Sequence, residues 1–222
     1  MGLTLVFQKV FIQSHYFYIS GSLHRHSAIF YEDSMYIFGG KKSIFEGSNT
    51  LYRYIFESKI WEIVEISENT NDPPPFLDSH AVVLHNKNDG NDEMLIFGGF
   101  MGGKISNYSR SIYSYSFKSK SWRKVFDGFS KTIIKGSCPK KRANPSMVLY
   151  NGSLYIFGGG NSKTKFDDLW QFNLTDNTWN CIQGEIKPLV LNNFSYRFSF
   201  KGKMWTHCLS LSGQNDYVWR NS

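Results

Sequence analysis

Three segments of this chain end the same way: Ser34-Met35-Tyr36-Ile37-Phe38-Gly39-Gly40, Glu93-Met94-Leu95-Ile96-Phe97-Gly98-Gly99 and Ser153-Leu154-Tyr155-Ile156-Phe157-Gly158-Gly159. Their first glycines lie 59 and 60 residues apart. A recurrence of this length means one supersecondary unit used several times, each copy burying its faces against its neighbours. The apolar residues before each glycine pair mix aromatic, β-branched and long side chains, which predicts a strand buried on both faces. The glycines predict a close backbone approach or bulge, then an exit with positive φ.

Each copy is flanked in the same way. Upstream lie Ser27–Tyr31, His80–Leu84 and Ser146–Tyr150, all apolar in character. Asn151-Gly152 joins the third of these runs to its glycine-ended strand, and this dipeptide predicts a type I′ hairpin turn. Glu32-Asp33 fills the same place in the first copy, and a longer polar tip, 85–92, does so in the second. Downstream come alternating runs, Leu51–Phe56, Ile112–Phe117 and Leu169–Leu174, then Trp61, Trp122 and Trp179. Each unit therefore reads as four antiparallel strands.

A glycine pair after an apolar strand, followed by an aromatic-rich third strand and a tryptophan in the fourth, resembles the kelch repeat. The resemblance covers about residues 25–183 and implies an all-β, kelch-type β-propeller. The blades are expected over 25–63, 79–125 and 142–183, with Pro73, Pro74, Pro75 and Pro139 in the connections. Residues 1–24 are expected to supply one or two strands of a partial blade. Residues 195–222 are expected to form a degenerate one, in which Tyr196–Phe200 and Lys203–Cys208 mimic a first hairpin and Tyr217–Arg220 a third strand. Three complete blades plus a partial fourth favour an incomplete or fragmentary propeller; a small ring closed by the terminal strands and an open arc that self-associates are the rivals.

Hydrophobic residues make up 41% of the chain and aromatics 17%, enough for a large core, and most aromatics are assigned to blade packing. No apolar run is long enough to span a membrane, and residues 3–12 lack the layout of a signal peptide. Cys138, Cys181 and Cys208 are odd in number and scattered, which favours reduced thiols and a cytoplasmic location. Pro139-Lys140-Lys141-Arg142 keeps a nuclear location open, and glycosylation-type triplets at Asn107, Asn151, Asn173 and Asn193 keep a secreted one open.

Alternation of antiparallel strands puts two loop sets on one face. One joins the second strand to the third (41–50, 100–111, 160–167); the other runs to the next blade (67–78, 127–141, 184–193). Long loops on a rigid scaffold are where binding concentrates. The candidate partner-binding set is Lys41, Lys42, Phe45, Phe100, Met101, Lys104, Tyr108, Arg110, Lys163, Lys165, Phe166, Lys140, Lys141 and Arg142, with Lys131 and Lys135 beside them. With a net charge of +7, such a surface favours an acidic partner.

The expected function is a non-catalytic protein–protein interaction module that binds a protein partner, an acidic peptide segment in particular. The resemblance agrees, since kelch propellers commonly bind peptide segments on this loop face. No cofactor, metal, nucleic acid or membrane is expected. Gly158–Thr164 lacks the glycine before lysine of a phosphate loop, His24, His26, His207 and Cys208 lack zinc-type spacing, and no catalytic triad can be proposed from order. A propeller-class enzyme, such as a sugar mutarotase or metal-dependent oxidase, and a cytoskeletal component are the alternatives.

Overall fold

The computed structural model describes residues 22–43, 46–87, 89–101, 107–130, 137–183, 196–200 and 203–207. The chain divides into two units, Met1–Glu185 and Ile186–Ser222. All regular structure among the described residues is β.

The described residues of the first unit form three four-stranded antiparallel sheets and a short ribbon. The first sheet holds β1 (Ser27–Tyr31), β2 (Ser34–Phe38), β3 (Leu51–Ile55) and β4 (Ile60–Ile63) in that spatial order. The second holds β5 (Ala81–His85), β6 (Glu93–Phe97), β9 (Ile112–Ser116) and β10 (Ser121–Phe126). A two-stranded ribbon, β7 (Phe100–Met101) with β8 (Asn107–Tyr108), grows from its β6–β9 loop. The third holds β11 (Ser146–Tyr150), β12 (Ser153–Phe157), β13 (Leu169–Asn173) and β14 (Thr178–Gln183). Phe38, Phe97 and Phe157 stand opposite Leu51, Ile112 and Leu169, so the three Phe-Gly-Gly segments hold matching places. These are propeller blades. In the second unit, β15 (Tyr196–Phe200) pairs antiparallel with β16 (Lys203–His207), the hairpin expected there. The expected strands at 1–20 and 217–220 lie outside the described residues.

The turns explain the local chain. Asn151 and Gly152 have φ of 45° and 69°, and Glu32 and Asp33 have 41° and 55°, so both hairpins turn through two left-handed residues. In the glycine pairs both members have positive φ, not the second alone. Close approach explains why no other residue serves there: a Cβ on Gly39 would stand 2.3 Å from the Leu77 carbonyl oxygen, and one on Gly99 2.9 Å from that of Asp78.

Innermost strands β1, β5 and β11 neighbour one another in turn, which stacks the blades side by side. The repeated Phe and Trp meet across the junctions between blades. Phe38 of the first blade packs 4.8 Å from Trp122 of the second, and Phe97 of the second 5.7 Å from Trp179 of the third. Phe38 and Phe97 are fully buried, each stabilising by about 2–3 kcal/mol. Backbone bonds stitch the same junctions. Gly40 N–H donates to Leu77 O at 2.8 Å, and Gly99 N–H to Arg142 O at 2.9 Å. At the head of the inner strands, Ser79 N–H donates to Arg25 O and Asn144 N–H to Ser79 O, all three residues having positive φ.

One connection departs from expectation. Residues 67–72 do not stay on the loop face. Ser67 N–H donates to Lys120 O and Asn71 N–H to Trp122 O, laying the segment along the outer edge of β10. An edge strand has unpaired backbone groups, and this segment satisfies them.

Candidate functional site

The loop face is built from the segments around the glycine pairs and the connections entering the next blade. Within each blade the residue after the glycine pair bridges the residue that precedes the inner strand: Lys41 with His24, Phe100 with Asp78, Gly160 with Ala143. This ties both loop sets to one frame. The side chains on that frame differ sharply from junction to junction.

Between the first and second blades, the cations are spent on the protein's own carboxylates. Lys41 Nζ lies 3.1 Å from Asp78 Oδ2 and 4.7 Å above the Phe100 ring, with its side chain only 14% exposed. Asp78 is buried and also accepts from the Ser79 hydroxyl at 2.8 Å, with Arg25 at 3.9 Å. Lys42 faces Glu46 at 3.8 Å. Beneath them His80 is buried, shares a hydrogen bond with the Ser27 hydroxyl through Nε2, and has no partner for Nδ1. Burial disfavours the imidazolium and outweighs the nearby Asp78 carboxylate, holding the His80 pKa down at about 4.

Arg142 also turns inward, a correction to its place in the candidate set. Its side chain is 0% exposed and grips Asp168 with two bonds of 2.6 and 2.9 Å. It donates further to Gly158 O and Lys140 O, and Trp170 Nε1 donates to Asp168 at 2.7 Å. Burial alone would push the Asp168 carboxyl up, but the Arg142 and Trp170 bonds outweigh it and hold the carboxyl below the usual carboxylate range. Phe166 is likewise buried, its ring between Arg142 at 4.4 Å and Lys140 at 5.6 Å. These two residues hold the third blade together and offer no free surface.

Arg110 and Lys141 are different. Arg142 N–H donates to Ser109 O at 3.0 Å, so the backbones carrying Arg110 and Lys141 run beside each other. Arg110 Nε donates to Gly128 O at 2.8 Å, and its stem leaves no room for a Cβ on Gly128. Gly128 N–H donates to the Ser111 hydroxyl. Lys141 Nζ lies 3.9 Å above the ring of Phe129, which is 39% exposed. Burial and the Arg110 charge both push the Lys141 ammonium pKa down. Among the described residues neither cation has a carboxylate within ion-pair distance.

The rest of the candidate set is scattered by comparison. Phe100 and Tyr108 pack edge to face across the ribbon at 5.3 Å, with Met101 half-buried beside them. Lys163 and Lys165 are exposed on the third blade's loop. Phe45, Lys104, Lys131 and Lys135 lie outside the described residues. No three His, Cys, Asp or Glu side chains among the described residues converge as metal ligands would, and no helix there is long and apolar enough to cross a membrane.

Phe129 was missing from the candidate set, and so was the contrast between connections. A charge count could have found that contrast. Residues 64–80 carry Glu65, Glu68, Asp72 and Asp78 and no Lys or Arg. Residues 127–142 carry five cations, Lys131, Lys135, Lys140, Lys141 and Arg142, against Asp127 alone. The second blade's other loop, 99–111, adds Lys104 and Arg110 with no acid.

Comparison with known proteins agrees with the repeated blade architecture. Residues 25–213 match a family model described as the KLHDC2/KLHL20/DRC7 Kelch-repeats domain. The chain is 26% identical over 216 residues to the leucine-zipper-like transcriptional regulator 1 homolog of Drosophila melanogaster, covering 73% of this chain and 21% of that protein. It is 28% identical over 178 residues to tip elongation aberrant protein 3 of Schizosaccharomyces pombe, covering 69% and 15%. It is 30% identical over 174 residues to kelch domain-containing protein 3 of Rattus norvegicus, covering 74% and 42%. In each case the match spans less than half of the relative.

Proposed function

This chain belongs to the kelch-repeat family, and from that premise we propose that it is a non-catalytic protein-interaction domain whose loop face binds an acidic segment of a partner protein. The observation that carries the reading is the uncompensated pair Arg110 and Lys141. Lys41, Lys42 and Arg142 already have carboxylate partners within the fold. Two adjacent cations without one repel each other, and an incoming anion relieves that repulsion. Phe129 beside them supplies exposed aromatic surface, a common feature of interface centres.

The site is held by backbone and hydroxyl bonds among 109–111, 127–130 and 142, so little ordering cost is left to binding. Fluorescence anisotropy with acidic, basic and scrambled peptides tests the reading. Acidic peptides should bind best, more weakly as salt rises, and Lys141→Glu should reduce their affinity by about tenfold or more. Equal binding of acidic and basic peptides would defeat it.

A further inference from the structure

The same site permits a narrower statement about what it recognises. Three segments converge there: the end of the β8–β9 connection, the start of the connection leaving β10, and the end of that connection before β11. Arg110 is fixed by its Nε bond to Gly128 O, which leaves the two terminal guanidinium nitrogens as a planar fork. Lys141 is held over the Phe129 ring. Such a fork is suited to a tetrahedral or planar anion with two accepting oxygens, and the ammonium beside it adds a second positive charge. One carboxylate would neutralise one of these cations. A phosphate monoester carries about two negative charges at neutral pH and three accepting oxygens, so it can answer both.

The surroundings reinforce the excess. By sequence the segments 99–111 and 127–142 carry a single acid, Asp127, whose Oδ1 accepts from Phe129 N–H at 3.1 Å. We propose that Arg110 and Lys141, beside Phe129, form a phosphate subsite, and that the partner segment binds when a serine or threonine within it is phosphorylated. This deepens the function proposed above and rests on it. Phosphorylation would act as the switch, because the unmodified hydroxyl offers neither the charge nor the oxygens that two cations require.

The test uses the full chain and three degenerate peptide libraries, identical except for a central serine, glutamate or phosphoserine. Anisotropy should rank phosphoserine above glutamate by about tenfold and glutamate above serine. Lys141→Gln should abolish most of the phosphoserine advantage, and Arg110→Lys, which keeps the charge and loses the fork, should remove part of it. Equal affinity for glutamate and phosphoserine overturns the phosphate subsite while leaving the acidic-segment reading intact. No preference for either over serine defeats both. A phosphoserine advantage that survives in Lys141→Gln and Arg110→Lys, with unchanged melting curves, overturns the assignment of these residues. Competition by inorganic phosphate or a short oligonucleotide at concentrations as low as those of the phosphopeptide overturns the protein source of the anion.

Discussion

The two junctions between blades use one backbone design and opposite electrostatics. In both, a glycine N–H donates to the carbonyl of the residue entering the next blade, Leu77 at the first junction and Arg142 at the second. Leu77 fills its slot as a buried apolar side chain within the core cluster. Arg142 fills the equivalent slot as a cation and needs Asp168 to pay for its burial. On the surface the contrast runs further. The first junction consumes Lys41 on Asp78, while at the second no carboxylate among the described residues pairs with Arg110 or Lys141. The lesson is that a repeat fixes where side chains stand, and that local sequence decides whether a given position serves the fold or a partner.

The largest effect should come from the buried ion pair. Arg142→Ala leaves Asp168 and Trp170 Nε1 in a site arranged for a cation, and should cost about 3–5 kcal/mol in urea unfolding. Arg142→Leu with Asp168→Ser copies the first junction, where Leu77 and Ser111 hold the equivalent positions, and should recover more than half of that loss. A double variant as unstable as the single one would break the equivalence of the two slots.

Next comes His80, which belongs to the first junction alone; Pro145 holds the equivalent place at the second. The unfolded chain takes up a proton near pH 6.5 that the folded chain refuses until about pH 4. Stability present above pH 6.5 should therefore drain away as pH falls between those values, by about 3 kcal/mol in total. Melting curves across that range should flatten in His80→Gln. An unchanged slope would mean that other groups carry the acid sensitivity.

Lys41→Ala removes the closest cation from buried Asp78 but leaves the Ser79 hydroxyl and Arg25, so about 1–2 kcal/mol should be lost. Lys141→Gln should shift stability by less than about 0.5 kcal/mol, since among the described residues it has no carboxylate partner to strand. That pairing of results, measured in the same denaturant titration, is the sharpest form of the comparison: one lysine of the face serves the fold and the other does not. Equal losses from the two would erase it.

Much of the fold was legible because its signals are local. Asn151-Gly152 specifies its turn through two positive φ values, and the Phe-Gly-Gly strands alternate with runs whose register follows from chain order. The candidate surface was legible only as a set of loops. Arg142 and Lys141 are neighbours in a run of three cations, and nothing in that run says that one is fully buried while the other sits over an exposed ring. The partner of Arg142 lies 26 residues away, and that of Lys41 lies in the connection to the next blade. The edge-covering segment at 67–72 was equally hidden, because its backbone bonds go to the carbonyls of Lys120 and Trp122, which carry no sequence signature.

Sequence alone determined the repeated four-stranded unit and its turns, since period, glycine conformation and strand alternation are properties of short stretches of chain. Tertiary structure alone decided which cations remain available, because an ion pair forms wherever folding brings opposite charges within a few ångströms, and that proximity is set by how one blade is laid against the next.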